Sequence, residues 1–480
     1  MHKARIAALT VGAGVLAAAA IAAAAPGVTA VSAPTARTAA AKPASVLPWL
    51  VVKPGVVHLS VTDRLGPFTD PQCEKSIGIA CYTPNQIRLA YHTGPLYAKG
   101  ITGKGTTIAI VDSFGSPTIK SDLAAFDKQF GYPAPPSFKV ITPAGKIPAY
   151  NPGNSDMVGW AAETTLDVEY AHTLAPGANI LLVETPVSET EGVTGFPQIV
   201  TAEEYAIKHY PVDVISQSFS ATEETFTGLA QINKFHLRAA YQLAAAKNVT
   251  VLAASGDSGA ADVGLDLSTY YTFPVTSWPD SDPLVTAVGG TELRWSGGKF
   301  SSVAWNDTYN KPTNEYFGGI AGPSPFASGG GKSIFFTTPS YQAGVKSVVG
   351  GRRGVPDISM SAACDGAVDI YSSFGGQPAG WSLICGTSEA TPEFAGIVAL
   401  ADQVAGKPLG LINPALYRLS AQRAPGIVDV TSGNNTVSFT QGPKNKLFTV
   451  KGFAALHGYD LVTGVGTVYA PQFVPELAAG

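Results

Sequence analysis

The chain has 480 residues, of which 45% are hydrophobic and only 14% charged, with a formal net charge of -4. That length suits one large α/β domain or two smaller ones. The weak acidic balance excludes an electrostatic case for nucleic acid or an anionic membrane as partner. At the N-terminus, "MHKAR", the apolar run "IAALTVGAGVLAAAAIAAAA" and the small residues of "PGVTA" predict a signal peptide over residues 1–30. Its removal would leave a secreted protein with no membrane attachment; an uncleaved anchor is the alternative. Residues 31–84 read as a short leader rich in Ala, Pro, Thr and Val. Four cysteines, Cys73, Cys81, Cys364 and Cys385, suggest two disulfides in an exported chain. Local spacing favours Cys73–Cys81 and Cys364–Cys385 among three possible connectivities. No CxxC pair is present to suggest a structural zinc site.

From residue 85 the pattern becomes globular, and a single domain is expected over 85–478. Buried strands are predicted at 106–113, 138–142, 179–185, 212–220, 249–255 and 283–290. Helical spacing occupies 157–174, 196–210 and 231–248 between them. This alternation predicts an α/β fold with a mostly parallel central sheet and helices on both faces. Sites in such folds gather at the carboxyl ends of strands. "SGGGKS" (328–333) imitates a phosphate loop, but Phe326 stands where that motif needs glycine. Residues 328–331 are expected to form a turn or to approach another backbone closely.

The stretch "CGTSEATPEFAG" (385–396) places Ser388 at the start of a helical segment over 388–406, with Pro392 expected in its first turn. A helix N-terminus favours a developing oxyanion; the plain alternative is that Ser388 or Thr387 is an N-cap. A nucleophilic serine needs a base. The histidines are His2, His58, His92, His172, His209, His236 and His457, and none has the setting of a subtilisin histidine. His172 is the best placed. Its helix, however, also carries Glu163 and Asp167, four apart and therefore on one face, with no Lys or Arg between Met157 and Ile180. Two close carboxyls in a partly apolar setting share a proton and can act as a base at low pH. A third carboxyl, Asp257, follows a predicted strand between Gly256 and Gly259; the plain alternative is an Asp that bonds its own turn.

In their order, "ETTLD", "ASGDSG" and "GTSEATP" resemble the sedolisin family of serine-carboxyl peptidases, a resemblance extending from about residue 84 to 476. It is carried further by "GITGKGTTIAIVDSFGSPTI", "SGGGKS", "RRGVPDIS" and "GYDLVTGVG". The resemblance implies a subtilisin-like three-layer fold and an acid-acting endopeptidase that hydrolyses polypeptides and works as a monomer. It implies Ser388 as nucleophile, Glu163 as general base, Asp167 as its partner and a protonated Asp257 as oxyanion donor. Asp112 falls where another acid often joins this network. Ser218, Phe219 and Ser220 lie on what resembles an edge strand for extended substrate, with Phe219 where the family usually has tryptophan. The C-terminal region resembles a one-ion Ca2+ loop, with Asp429 and Asp460 as carboxylates and carbonyls from Val430, Leu456 and Gly458. A Cys364–Cys385 bridge would brace the nucleophile turn. Members usually carry a large folded prodomain, and the roughly 55 residues between signal and catalytic region are too few for one. Two rival readings follow: a histidine-dependent enzyme using Asp112, His172 and Ser388, or an inactive relative that binds peptides or cell-wall material.

Overall fold

The strand Thr107–Ser113 (β1) is apolar on both faces. Ile108 and Ile110 enter one buried cluster, Ala109 and Val111 another. Such a strand belongs inside a sheet covered on both sides. The computed structural model describes residues 66–480 and puts it there. The signal peptide read at 1–30, and the leader as far as residue 65, lie outside the described residues.

Phe138–Ile141 (β2), Asn179–Thr185 (β3), Val214–Gln217 (β4), Thr250–Ala254 (β5) and Thr286–Ser296 (β6) join β1 in parallel. Lys299–Ala304 (β7) adds antiparallel to β6, and Ile358–Ser361 (β8) pairs with β6 in parallel. The order is β7-β6-β5-β4-β1-β3-β2 in an 8-stranded sheet, with β8 off that path. The helices Ile119–Phe130 (α1), Ser155–Leu174 (α2), Phe196–His209 (α3), Ala239–Lys247 (α4) and Thr387–Ala405 (α5) cover its two faces. Leu166 and Tyr170 of α2 share a core with Phe394 of α5, while Phe196 of α3 and Tyr241 of α4 lie in the other. The expected parallel sheet with helices on both faces is therefore present.

Four boundaries differ from expectation, each for a physical reason. The helix expected over 231–248 is two, Leu229–Lys234 and α4, because His236 takes a left-handed φ of 53° between them. β6 runs on to Ser296 as it turns into the hairpin with β7. β4 stops at Gln217 and lies between β5 and β1, so Ser218–Ser220 are not an edge strand. They are buried residues beyond the carboxyl end of a central strand. Residues 66–84, read as the end of the leader, are built into the domain. Phe68, Cys73, Ile79 and Tyr82 enter the main core, Phe68 N donates to Asp369 Oδ1 at 2.9 Å, and Cys81–Tyr82 pairs with the strand Ala367–Ser372.

The glycine stretch 328–331 does approach other backbone. A Cβ on Gly329 would lie 1.9 Å from the Ser255 carbonyl oxygen, and one on Gly330 2.3 Å from that of Leu461. Both disulfides favoured by spacing, Cys73–Cys81 and Cys364–Cys385, are formed.

Candidate active site

β1, β4 and β5 end at the same edge of the sheet, and each hands the chain to a polar group there: Asp112 in β1, Ser218 after β4, Asp257 after β5. Above them lies α2. Asn154 caps it by accepting Asp156 N and Met157 N, and every residue from Met157 to Leu174 is buried. A helix apolar on most sides and buried throughout has no solvent face on which acids can rest. Glu163 and Asp167 nevertheless sit on it, fully buried.

Asp167 lies among acids. Burial foremost, then the charges of Asp112 and Glu163, push its carboxyl well above the ordinary range. Asp112 faces Thr164 and Asp167, and burial raises it to about 7. Ser218 Oγ donates to Asp167 Oδ1 at 2.8 Å and lies 3.4 Å from the carbonyl oxygen of Ser388. That carbonyl is open to a side-chain donor because Pro392 is inside α5, not in its first turn, and has no N–H to offer four residues back. Ser218, expected as a substrate contact, thus ties the acid helix to the nucleophile helix. Phe219 packs edge-on against Trp160 and Phe196, and Ser220 is buried.

Ser388 is the second residue of α5, whose N-cap position is Gly386. The cap is supplied from outside the helix. Asp257 Oδ1 accepts Thr387 N at 2.6 Å and Thr387 Oγ1 at 2.8 Å. Gly386 has φ of 130°, and a Cβ there would lie 2.6 Å from Asp257 Oδ2, so only glycine fits the turn. Burial lifts Asp257 to about 6, against the opposing pull of the Thr387 hydrogen bonds. Gly256 N donates to Thr387 Oγ1 at 3.1 Å, and Cys385, bridged to Cys364, anchors the turn from the other side.

The described histidines lie elsewhere. His172 Nε2 is 2.8 Å from Pro133 O and 3.2 Å from Asp127 Oδ1, on the face of α2 turned toward α1. His92 packs on Tyr469, His209 on Tyr205, His236 sits in the loop before α4, and His457 is at Asp429. A triad of Asp112, His172 and Ser388 has lost its imidazole to Asp127.

Asp429 and Asp460 flank one turn. Asp429 Oδ2 accepts Gly458 N at 3.0 Å, and Asp460 accepts Leu456 N, Val462 N and Thr463 N at 2.8–2.9 Å. Leu456 is not among the residues of positive φ, so the leucine sits there without backbone strain. No cluster of three or more His, Cys, Asp or Glu side chains suited to a metal occurs among the described residues. The two carboxyl groups here are hard oxygen donors, the ligand type that calcium takes.

Sequence reasoning passed over Glu389 and Glu393, four apart on α5, fully buried and held well above the carboxylate range by burial. The test that singled out Glu163 and Asp167, two acids on one face with no cation nearby, would have found them. It also passed over Glu191 and Asp262, which flank Thr222 and whose only local signal is an acid beside glycine or alanine.

Among known proteins, the subtilase family profile matches residues 103–442. Kumamolisin from Bacillus sp. (strain MN-32) is 32% identical over 403 residues, covering 82% of this chain and 63% of that protein. Human tripeptidyl-peptidase 1 is 28% identical over 458 residues, 91% of this chain and 71% of that one. The solved structure of Pseudomonas sedolisin, a serine-carboxyl proteinase complexed with two molecules of pseudo-iodotyrostatin, superposes with a TM-score of 0.65 at 25% identity, covering 84% of this chain and 99% of the other. The chain spans less than two thirds of kumamolisin's length.

Proposed function

Because the chain belongs to the subtilase family, within its sedolisin branch, we propose that it is an exported serine-carboxyl endopeptidase that works in acid. One observation carries the reading: the helix end bearing Ser388 is met by Asp167 through Ser218 and by Asp257 through Thr387. Glu163 takes the proton of Ser388 Oγ as it attacks the peptide carbonyl, and Asp167 holds Glu163 in a form that can accept it. Asp257 keeps a proton on Oδ2, the oxygen not engaged with Thr387, and donates it as a hydrogen bond to the oxyanion. Collapse of that intermediate expels the amine, protonated by Glu163. Water then enters by the same route and releases the acyl group from Ser388. Two disulfides support export to an oxidising compartment, and among the described residues no helix is long and apolar enough to cross a membrane.

One calcium ion belongs in this reading. Asp429, Asp460 and the carbonyls of Val430, Leu456 and Gly458 would hold it, and the ion would cross-link the 456–460 turn to Asp429.

The test is a pH-resolved peptide cleavage assay with Ser388→Ala and Glu163→Gln. Each variant should lose roughly 10⁴-fold or more in kcat. The wild-type profile of kcat/KM should be a bell on the acid side, falling as Asp257 ionises near 6. A maximum at alkaline pH, or full activity in Glu163→Gln, would end this proposal. Failure of an aldehyde inhibitor to label Ser388 in folded protein at acid pH would favour the peptide-binding rival.

A further inference from the structure

Glu191 and Asp262 stand on either side of Thr222, four residues beyond Ser218. Glu191 Oε2 accepts Thr222 N at 2.8 Å and Thr225 Oγ1 at 3.1 Å. Asp262 accepts its neighbour Val263 N at 2.8 Å and Ser277 Oγ at 3.1 Å, and Thr222 Oγ1 donates to Val263 O at 2.9 Å. Both acids are 5% exposed. Glu191 Oε1 is buried with no hydrogen-bond partner, and so is Glu224 Oε2.

Two routes join this set to the reacting serine. Ser218 lies 3.4 Å from the Ser388 carbonyl, and four extended residues reach at most about 14 Å. Gly256, whose N–H meets Thr387, runs so close to Asp262 that a Cβ on it would stand 3.8 Å from Oδ2. A small cavity opens there between Gly256, Ser258, Asp262 and Ser277. The titratable groups that bear on Glu191 and Asp262 are Glu189, Glu224, Asp257, Asp280, Tyr270 and Tyr271, none of them cationic. A buried carboxyl with an idle oxygen and no positive neighbour is costly unless something completes it.

We propose that Glu191 and Asp262, with Glu224 at the rim, form a substrate subsite for a cationic nitrogen group of the peptide: a Lys or Arg side chain near the scissile bond, or the free terminal ammonium. The inference rests on the peptidase reading and names the substrate class of that site. Burial holds Asp262 up at about 7 and Glu191 at about 10, so both keep their protons in acid. A cation that enters displaces a proton, and its binding strengthens as pH rises. Preference for a cationic residue therefore climbs between pH 4 and 6, while turnover declines as Asp257 ionises. A pair with a purely structural role would give no such opposed slopes.

The experiment compares Nα-acetylated peptides carrying Lys or norleucine at each position around the cut, at pH 4 and pH 6, on the full chain. At one position the Lys:norleucine ratio of kcat/KM should reach roughly tenfold to a hundredfold, the worth of one charge-assisted hydrogen bond, and should be larger at pH 6. Glu191→Gln and Asp262→Asn should bring the ratio toward one. Both peptides are read on the same enzyme, so the ratio is insensitive to the amount folded. If a variant cleaves neither, Glu224→Gln at the partly buried rim must narrow the ratio, and an unchanged ratio there counts against the subsite. A norleucine peptide with a free amino terminus that outpaces its acetylated form assigns the pocket to the terminal ammonium. Cleavage with flat ratios in every arm overturns the subsite and leaves the peptidase standing. No cleavage of any peptide by the wild type overturns the peptidase reading and this inference with it.

Discussion

At Asp257 one carboxyl oxygen accepts both Thr387 N and Thr387 Oγ1, so the two oxygens of this residue do different work. Oδ1 caps α5, and Oδ2 faces the space beside Gly386. Asparagine keeps both tasks, since its carbonyl can cap and its NH2 can donate to an oxyanion at any pH. Asp257→Asn should therefore retain more activity than Asp257→Ala, which should lose about 10²–10³-fold in kcat. It should also lose the fall in kcat/KM near pH 6, because the group whose proton was required no longer titrates. A limb that stays near 6 in Asp257→Asn would assign it to another acid, such as Asp112. Of this site, the spacing of Glu163 and Asp167 and the isolation of Ser388 from histidine were legible in the sequence, because helical periodicity is local. The tie from Asp167 through Ser218 to Ser388 was not, since it joins residues 51 and 170 positions apart in the chain. Nor was the need for glycine at position 386, which arises from a carboxyl brought there by another strand.

The two helices of the site cross at a single glycine. A Cβ on Gly396 of α5 would meet Leu174 Cβ of α2 at 2.5 Å and the Ala171 carbonyl at 3.2 Å. One of these is a side chain's first carbon and the other is backbone, so neither can swing aside. Gly396→Ala gains helix propensity of under about 1 kcal/mol. It should still destabilise by about 1–3 kcal/mol, the usual cost of overpacking. The same displacement separates Glu163 and Asp167 from Ser388, so kcat should fall with stability; a denaturant melt and a cleavage assay on the same sample check both. An unchanged midpoint would mean that α2 and α5 adjust more freely than this contact allows. At the scale of elements the fold was legible where apolar runs are continuous, as in β1 and β3, because a strand buried on both faces leaves that mark. It was less so in the antiparallel hairpin of Ala367–Ser372 with Gly380–Ile384, whose pairing is set by contact with Cys81–Tyr82. The break before α4 was hidden by a helical pattern that runs straight through His236.

Among the described residues, buried acids outnumber the buried cations that could balance them. Arg353 serves Asp357, with Nη1 to Oδ1 at 2.7 Å, and Arg238 serves Asp282, with Nη2 to Oδ1 at 2.9 Å. Seven others are raised by burial: Asp112 and Asp307 to about 7, Glu203 to about 8, and Glu169, Asp369, Glu389 and Glu393 well above the ordinary range. The unfolded chain releases these protons near 4. Below that pH both states are protonated and the folded state bears no charge penalty. Above it the unfolded chain sheds protons that the folded chain retains, so stability declines as pH rises through the folded values, by at most about 1.4 kcal/mol per unit for each group. The thermal midpoint, followed by circular dichroism on Ser388→Ala protein to prevent self-digestion, should be highest between about pH 3 and 5 and fall steadily toward pH 8. Glu389→Gln and Glu393→Gln each remove one titrating group from the interior and should flatten that fall. A midpoint that is level or rises toward neutrality would mean that these carboxyls are ionised and compensated in the fold. If the decline is found, the interior and the reacting site share one requirement, acids that keep their protons, and the pH range in which Asp257 can donate is also the range in which the chain stays folded.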